Sequence, residues 1–255
     1  MAIFRGTIRS DVLGMDTGLC IVLPYDRPAE EQQEPCKVLY LLHGLGDNCD
    51  AWTRYTAVER YAREEGFALI MPEVQRSFYF DMAHGGKFFA YVTEELPALC
   101  ARMFRFSGER EDTFIAGLSM GGYGAMKCGL TFPEKYAGCA SFSGVLDIGY
   151  VLEKGGEGHR EEMKSVYGME LSVQPENDLY LLAEKLAERP AAERPKVMIT
   201  CGQQDFIYHL STAFRDELNR LGIEHLYREW PGEHTWDVWD KSAEMALRHF
   251  CDKSL

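Results

Sequence analysis

The sequence has no long hydrophobic run, and it is poor in positive charge. Its 255 residues include 27 Lys and Arg against 40 Asp and Glu, which gives a formal net charge of −13. No segment approaches the roughly 18 consecutive apolar residues that a membrane-spanning helix needs. An acidic chain is also repelled by phosphate backbones and by anionic lipid surfaces. We therefore expect neither a nucleic acid nor a membrane as a partner.

The eight cysteines are scattered along the chain, without a single C-x-x-C pair. Several stand inside apolar segments, where cysteine behaves as a small hydrophobic residue and stays reduced in the cytoplasm. Zinc sites need cysteine and histidine at short, regular spacings, which this sequence lacks. The N-terminal segment MAIFRGTIRS has no apolar stretch of the kind that a secretory signal requires. We predict a cytoplasmic protein with no metal and no cofactor.

Strand-like and helix-like segments alternate along most of the chain. Strands are predicted at 17–24, 37–43, 67–72, 113–118, 136–142, 196–201 and 224–230. Apolar residues at steps of three and four predict helices near 88–103, 207–221 and 236–250. Pro97, inside the first of these helices, should kink it or mark its restart. The alternation is typical of an α/β fold, with a mostly parallel sheet covered by helices on both faces.

The segment at about 146–190 interrupts this alternation. It is strongly charged at first and then rich in leucine, as in DLYLLAEKLAE. A small helical insertion after the strand at 136–142, lying over the strand ends as a lid or cap, suits this pattern. An ordinary long crossover connection suits it nearly as well. We interpret 1–255 as a single domain, because single α/β domains reach this length.

One G-x-S-x-G motif is present, at Gly117-Leu118-Ser119-Met120-Gly121. The apolar segment before it predicts a buried strand, and the small residues after it, GYGAMKCGL, predict a helix. A serine at such a strand-to-helix turn is held in a strained conformation with its hydroxyl exposed, and the flanking glycines allow the tight approach. The motif therefore indicates Ser119 as the nucleophile of a hydrolase.

A serine hydroxyl becomes an effective nucleophile when a base accepts its proton and an acid orients that base. Asp205 directly follows one predicted buried strand, in the sequence Gly-Gln-Gln-Asp, and His234 follows the next strand, in Pro-Gly-Glu-His. Acid and base then follow the nucleophile in the chain order typical of such hydrolases. Asp147 remains an alternative acid, because it also follows a predicted strand.

The oxyanion of a tetrahedral intermediate must be stabilised by backbone N–H groups. One donor is expected to be Met120, the residue after the nucleophile. The second is expected from the loop after the strand at 37–43, which reads His43-Gly44-Leu45-Gly46, with Leu45 as the donor.

Four stretches of the sequence resemble the esterase D-like "putative esterase" family, which includes S-formylglutathione hydrolases, tributyrin-type acetylesterases and feruloyl or acetylxylan esterases. The stretches are LLHGLGDNCDAW at 41–52, RSFYFDMAHGGKFFAYVTEELP at 76–97, IAGLSMGGYGAMKCGLTFPEKYAGCASFSG at 115–144 and GEHTWDVWD at 232–240. The second and fourth are most similar to the tributyrin/acetylesterase branch. The resemblance implies the α/β-hydrolase fold and short acyl esters as substrates. It also implies a triad and two oxyanion donors: Ser119, Asp205 and His234, with Leu45 and Met120.

Six aromatic side chains are candidates for the walls of a substrate pocket: Trp52, Phe78, Tyr79, Tyr123, Phe206 and Trp236. Together these features predict a serine carboxylesterase that hydrolyses acetyl to butyryl esters, acylated sugars among them. The alternatives left open are an S-formylglutathione hydrolase-like thioesterase, a feruloyl or acetylxylan esterase, and an acyltransferase. The expected partner is a small-molecule ester, and a homo-oligomer is left open.

Overall fold

One eight-stranded sheet runs through the molecule, which is described here by a computed structural model for residues 1–26, 35–104, 106–154 and 156–253. Its strands are β1 (Ala2–Ser10), β2 (Met15–Leu23), β3 (Lys37–Leu42), β4 (Phe67–Pro72), β5 (Thr113–Leu118), β6 (Gly138–Phe142), β7 (Lys196–Gly202) and β8 (His225–Trp230). Their order across the sheet is β1-β2-β4-β3-β5-β6-β7-β8. Strands β3 to β8 are mutually parallel, which confirms the predicted mostly parallel sheet.

The first strand, β1, was not predicted. It pairs only with β2, in an antiparallel hairpin whose register runs from Ala2 opposite Leu23 to Ser10 opposite Met15. Most of its residues are exposed or only partly buried. An edge strand held by its hairpin partner needs few apolar side chains, so it carries little of the pattern by which strands are recognised.

Helices cover both faces of the sheet. They are α1 (Ala51–Tyr55), α2 (Val58–Glu65), α3 (Phe88–Ala90), α4 (Leu96–Phe104), α5 (Met120–Thr131), α6 (Ile148–Lys154), α7 (Glu157–Tyr167), α8 (Leu179–Ala187), α9 (Tyr208–Arg220) and α10 (Trp236–Phe250). One hydrophobic core lies between the sheet and α5, α8 and α9, and the other lies between the sheet and α2 and α10. Strand β3 serves both cores, with Tyr40 on one side and Leu39 and Leu41 on the other. Burial on both faces explains its unbroken apolar sequence.

The predicted break at Pro97 takes the form of a π-helical turn, Tyr91–Glu95, which joins α3 to α4. Proline has no amide hydrogen, so the carbonyl of Thr93, four residues earlier, receives no α-helical hydrogen bond from it. The ammonium of Lys135 donates to this carbonyl instead, at 3.2 Å. The π-helical turn, which contains one residue more than an α-helical turn, is therefore tolerated at this point.

The segment between β6 and β7 contains the three helices α6, α7 and α8, as the predicted helical insertion requires. The insertion is joined to the loop after β4 by two backbone hydrogen bonds, from Ala83 N–H to Val166 O at 3.0 Å and from His84 N–H to Ser165 O at 2.9 Å. Across the described ranges, no helix has the length and apolarity to cross a membrane.

Candidate active site

Ser119 lies between β5 and α5, with backbone angles φ 52° and ψ −115°. A non-glycine residue at positive φ is strained, and such strain persists only where the surroundings hold it. Here the Ser119 amide donates to Phe142 O at 2.9 Å, and the Ser119 carbonyl accepts from Tyr123 N–H and Val145 N–H. The predicted strand-to-helix elbow is therefore present, and Ser119 is partly exposed between buried neighbours.

The flanking glycines are required by close backbone contacts. A Cβ on Gly117 would collide with the carbonyl of Gly121. A Cβ on Gly121 would lie only 2.5 Å from the carbonyl oxygen of Leu42, at the end of β3. Any side chain at these positions would push α5 away from the sheet, and Ser119 would move with it.

His234 and Asp205 form a hydrogen-bonded pair, with 2.8 Å between His234 Nδ1 and Asp205 Oδ2. The carboxylate is an acceptor, so the proton lies on Nδ1 and the lone pair remains on Nε2. The other carboxylate oxygen, Oδ1, accepts from Ile207 N–H at 3.0 Å. Burial opposes ionisation of Asp205, but the hydrogen bonds from His234 and Ile207 outweigh it and lower the pKa of the carboxyl.

The loops that carry these two residues are tied to each other. Gln204 N–H donates to Gly232 O at 2.9 Å, and Gly232 N–H donates to the side-chain oxygen of Gln204 at 2.7 Å. A Cβ on Gly202, at the end of β7, would collide with the Gly232 carbonyl. The spacing between the acid and the base is therefore set by backbone contacts rather than by flexible side chains.

Asp147, the alternative acid, has a different partner. Its Oδ1 accepts from Tyr150 N–H at 3.1 Å, in the first turn of α6. No hydrogen bond within the described residues joins Asp147 to His234. Of the two candidate acids, the structure brings only Asp205 to the histidine. Within the described residues, no hydrogen bond joins Ser119 Oγ to His234, a contact that in serine hydrolases often shortens only during the reaction.

Leu45 lies in the loop after β3, beside the predicted nucleophile. A Cβ added to Gly44 would be 3.6 Å from Ser119 Cβ, so the loop passes directly over the elbow. Within the part of the chain that the structure describes, the Leu45 amide donates to no acceptor. Met120 N–H is the first amide of α5, and the first amides of a helix have no acceptor inside it. Both amides are available to bind an oxyanion.

His43, the residue before Gly44, orients this loop. It is buried, with 1% of its surface exposed. Val74 N–H donates to His43 Nε2 at 3.1 Å, so Nε2 is an acceptor and the proton lies on Nδ1. The Nδ1–H group then donates to the carbonyl of Gly44 at 2.9 Å. One imidazole therefore links the loop after β4 to the predicted oxyanion loop.

Four of the six candidate pocket aromatics are core residues in this structure. Trp52, Tyr79 and Tyr123 have no exposed surface, and Phe78 is 2% exposed. The indole N–H of Trp52 and the hydroxyls of both tyrosines donate to backbone carbonyls. A side chain without exposed surface cannot contact a substrate, so these four residues belong to the core that supports the site.

Phe206 and Trp236 remain at the surface of the site. Phe206 is 73% exposed, and its ring centroid lies 4.8 Å from that of His234. Trp236 is partly exposed and packs edge-on against Trp52, with 5.3 Å between the ring centroids. These two are the aromatic side chains from the sequence prediction that a bound substrate could reach.

A cavity of about 320 Å³ lies between the start of α6 and the start of α8. Its lining residues are Leu146, Asp147, Ile148, Gly149, Val173, Asp178, Leu179 and Tyr180. The residue before this lining, Val145, donates its amide to the carbonyl of Ser119 at 3.2 Å. The backbone that leads into the cavity lining is therefore bonded to the backbone of the predicted nucleophile.

Two residues near the site were not singled out from the sequence. Trp239 is 5% exposed and lies edge-on to His234, with 4.9 Å between the ring centroids. Lys127 is buried in α5, the helix that begins just after Ser119. Lys127 has a visible signal, since it is the one charged residue in the small and apolar sequence GYGAMKCGL. Trp239 has none beyond its place in an amphipathic stripe. No group of three or more metal-ligating side chains occurs in the described ranges.

The fold and this site define a class of protein. A serine on a strand-to-helix elbow, a histidine–carboxylate pair after the following strands and two available amides are the parts of an α/β-hydrolase active site. The family model "Putative esterase" matches residues 10–250. The chain therefore belongs to this esterase family, and it is a carboxylic ester hydrolase.

Several known proteins are similar over nearly their full length. An acetyl esterase of Caldicellulosiruptor saccharolyticus is 29% identical over 253 residues, covering 94% of this chain and 95% of that protein. The structure of FphF, a fluorophosphonate-binding serine hydrolase of Staphylococcus aureus, has a TM-score of 0.88 at 33% identity and 98% coverage of both chains. The S-formylglutathione hydrolase FrmB of Staphylococcus aureus has a TM-score of 0.84 at 34% identity, with the same coverage.

Proposed function

We propose that this protein hydrolyses short-chain acyl esters through an acyl-serine intermediate on Ser119. The observation that carries the proposal is the 2.8 Å bond from His234 Nδ1 to Asp205, which leaves the lone pair of Nε2 available as a base. In the first step Nε2 accepts the hydroxyl proton while Ser119 Oγ attacks the ester carbonyl. The amides of Leu45 and Met120 stabilise the oxyanion, and His234 then protonates the leaving alcohol.

Deacylation repeats these steps with water as the nucleophile. His234 Nε2 takes a proton from water, the hydroxide attacks the acyl carbonyl, and Ser119 leaves with the proton from the histidine. Asp205 stays ionised throughout and stabilises the imidazolium that forms twice per turnover. The lowered pKa of Asp205 supports this role of the carboxylate, because a carboxyl that is easily protonated would lose the hydrogen bond that orients His234.

The acyl group is proposed to be acetyl to butyryl, on an acylated sugar or a similar alcohol. The similarity to an acetyl esterase supports this range. Three bulky side chains support the same range: Leu45 in the loop over the elbow, Phe206 beside His234, and the partly exposed Trp236. Each methylene that clashes with such a side chain costs more than burial of the methylene contributes. The helical insertion is proposed to cover the site, and the cytoplasm is proposed as the location, since Cys20, Cys139 and other buried cysteines are free thiols.

The nucleophile can be tested by covalent labelling. A fluorophosphonate should modify Ser119 alone and abolish turnover, with the site found by peptide mass spectrometry. Ser119→Ala should lose several orders of magnitude in kcat while it keeps the wild-type Tm. Ser165→Ala, in α7, serves as the control and should stay active. Labelling at a different residue, or near-normal turnover by Ser119→Ala, would contradict the assignment.

Acyl-chain preference can be tested with p-nitrophenyl acetate, butyrate, octanoate and decanoate. The specificity constant kcat/KM should peak between acetyl and butyryl and fall steeply by octanoyl. Phe206→Ala should broaden the range towards longer chains, because it removes an exposed ring next to His234. A value that keeps rising through decanoate would refute the short pocket.

A second candidate is hydrolysis of S-formylglutathione, favoured by the 34% identity to FrmB. The same residues would act, with a thiolate as the leaving group. The ratio of kcat/KM for S-formylglutathione to that for p-nitrophenyl acetate decides between the two. A thioester preference of 100-fold or more would establish the second candidate, and a preference for the oxygen ester would exclude it.

A further inference from the structure

A lysine is buried in the helix that begins just after Ser119. Lys127 lies in α5, two turns after Ser119, and is 2% exposed. Its Nζ atom donates to the backbone carbonyl of Tyr79 at 3.2 Å. The same ammonium faces two phenylalanine rings, 4.2 Å from the centroid of Phe80 and 3.9 Å from that of Phe89. Proton transfer between Ser119 and His234 does not involve this charge.

The carbonyl that Lys127 binds belongs to a strained loop. Phe78 and Tyr79 are consecutive non-glycine residues at positive φ, 51° and 58°. Residues in this region are held there only when their surroundings determine them strongly. Ser77 Oγ accepts from the Tyr79 amide at 3.1 Å, and Lys127 binds the Tyr79 carbonyl. The conformation of Tyr79 is therefore held at both of its peptide groups.

The side chain of Tyr79 then reaches the oxyanion loop. Its ring lies against the backbone of α5 at Gly124, where a Cβ would collide with ring atoms. Its hydroxyl donates to the carbonyl of His43 at 2.9 Å. His43 in turn binds the carbonyl of Gly44, one residue before Leu45. Tyr79 thus spans the distance between α5, which begins with one oxyanion donor, and the loop that contains the other.

We propose that Lys127 and Tyr79 are positioning residues of the oxyanion hole, which set the Leu45 amide relative to the Met120 amide. An oxyanion hole works only when both donors lie about 3 Å from the developing charge, so the spacing between the two backbone segments controls the rate. The side chain of Tyr79 sets the distance between these two segments, and Lys127 holds the backbone of Tyr79 in its strained conformation. This inference rests on the proposed function.

Burial of a charge is otherwise unexplained at this position. An ammonium loses its hydration when buried, and here burial lowers the pKa of Lys127 to about 8. A methionine of similar length would fill the same space between Phe80 and Phe89 without this penalty. A methionine could not donate to Tyr79 O, and that bond is the function that the lysine adds.

The test uses two variants with matched controls. Tyr79→Phe removes only the hydroxyl, and Lys127→Met removes the ammonium while it retains the volume. Tyr61→Phe removes a hydroxyl bond of equal length, 2.9 Å to Asp240, in the other hydrophobic core. Lys135→Met removes a lysine that donates to the Thr93 carbonyl at 3.2 Å and faces Phe132. Neither control contact involves Ser119, His234, Asp205 or the oxyanion loop.

Four quantities are measured for each protein with p-nitrophenyl acetate and a trifluoromethyl ketone. They are kcat, KM, the fraction of active sites from burst titration, and the inhibition constant of the ketone, which forms a tetrahedral oxyanion on the serine. Tyr79→Phe and Lys127→Met should lower kcat per active site about tenfold with little change in KM, since a misplaced donor loses part of the 10² to 10³ that a whole donor supplies. Ketone binding should weaken by a similar factor, because the lost interaction belongs to the transition state.

The double variant should lose no more than the larger single loss, because both bonds act through Tyr79. Unchanged kcat and ketone affinity in Tyr79→Phe would overturn the proposal. So would equal losses in Tyr61→Phe or Lys135→Met. A loss seen only in the fraction of active sites would mean that the two residues are merely structural. Failure of the proposed function is distinguishable, since the wild-type protein itself would then show no burst and no labelling at Ser119.

Discussion

At the scale of single residues, the chemistry of His234 depends on what binds its Nδ1 atom. Asp205 accepts from that atom with one oxygen and from the Ile207 amide with the other, so the carboxylate cannot rotate away. Asp147 is used differently, since its oxygen binds an amide at the start of α6. Two carboxylates that each follow a buried strand therefore have separate tasks.

Replacing each of these carboxylates in turn should separate the tasks. Asp205→Asn should lower kcat by on the order of 10⁴, because an amide in this position favours the wrong imidazole tautomer. Asp147→Asn should change kcat far less, since an amide oxygen can still accept the α6 bond. Steady-state kinetics with p-nitrophenyl acetate measure both. The opposite ranking would assign the acid to Asp147.

The buried ammonium of Lys127 should leave a signature in the pH dependence of stability. Its folded pKa of about 8 lies below the ordinary lysine value, so between these two values the unfolded chain binds more protons than the folded chain. The free energy of unfolding attributable to Lys127 should therefore rise with pH from about 8 to 10, by at most about 1.4 kcal/mol per pH unit.

Urea unfolding of the wild type and of Lys127→Met at pH 7, 8, 9 and 10 measures this contribution. The difference in unfolding free energy, wild type minus variant, should increase across the series, because other titrating groups cancel. Lys135→Met, the exposed control, should show no such trend. A difference that is flat or falls with pH would contradict burial of the charged form.

At the scale of elements, α5 is built to lie close to its neighbours. Three of its four glycines lie close to other backbone or ring atoms: Gly121 faces the end of β3, Gly122 approaches Gly144, and Gly124 lies against the ring of Tyr79. Helix propensity alone disfavours so many glycines. These glycines lower the stability of the helix, but they let it lie close to its neighbours. The close packing fixes Ser119, directly before the first turn, relative to the loops around it.

Gly124→Ala should show directly that close packing outweighs helix propensity in α5. Alanine is the better helix former, yet its Cβ would collide with the Tyr79 ring, so we expect a net loss of about 1–2 kcal/mol in unfolding free energy and a lower kcat. Gly158→Ala, in α7, is the control, since no atom lies within 4 Å of the added Cβ. It should stabilise by up to about 1 kcal/mol. Urea unfolding measures both, and a stabilised Gly124→Ala would refute the contact.

At the scale of the whole molecule, two cores on the two faces of the sheet shield most of the thiols. Burial raises the pKa of Cys20 to about 11 and the pKa of Cys100, Cys128, Cys139 and Cys201 to about 12. The thiolate is the reactive form, and access also requires opening of the fold.

Thiol labelling therefore reports on global unfolding. With a disulfide reagent at pH 8, at most the three partly exposed cysteines should react quickly in the native protein. All eight should react in guanidinium chloride, which provides the reference amplitude. Buried thiols should follow only at the rate of unfolding. Rapid labelling of more than three thiols in the native state would show that one of the cores opens easily.

Local patterns in the sequence determined much of this protein. Period and composition located seven of the eight strands, and a nucleophile motif between a strand and a helix indicated Ser119. Strand ends placed Asp205 and His234 at one edge of the sheet. Such features can be read from the chain because they depend on neighbours within a few residues, where spacing and geometry are directly coupled.

Only the tertiary structure decided the remainder. It paired His234 with Asp205 across 29 positions, and it joined Lys127 to Tyr79 across 48. It also turned Trp52 and Tyr79 into the core and left Phe206 at the surface. An aromatic residue has the same identity in a pocket wall and in a core. Which of the two it becomes depends on the elements packed against it, and those come from distant parts of the chain.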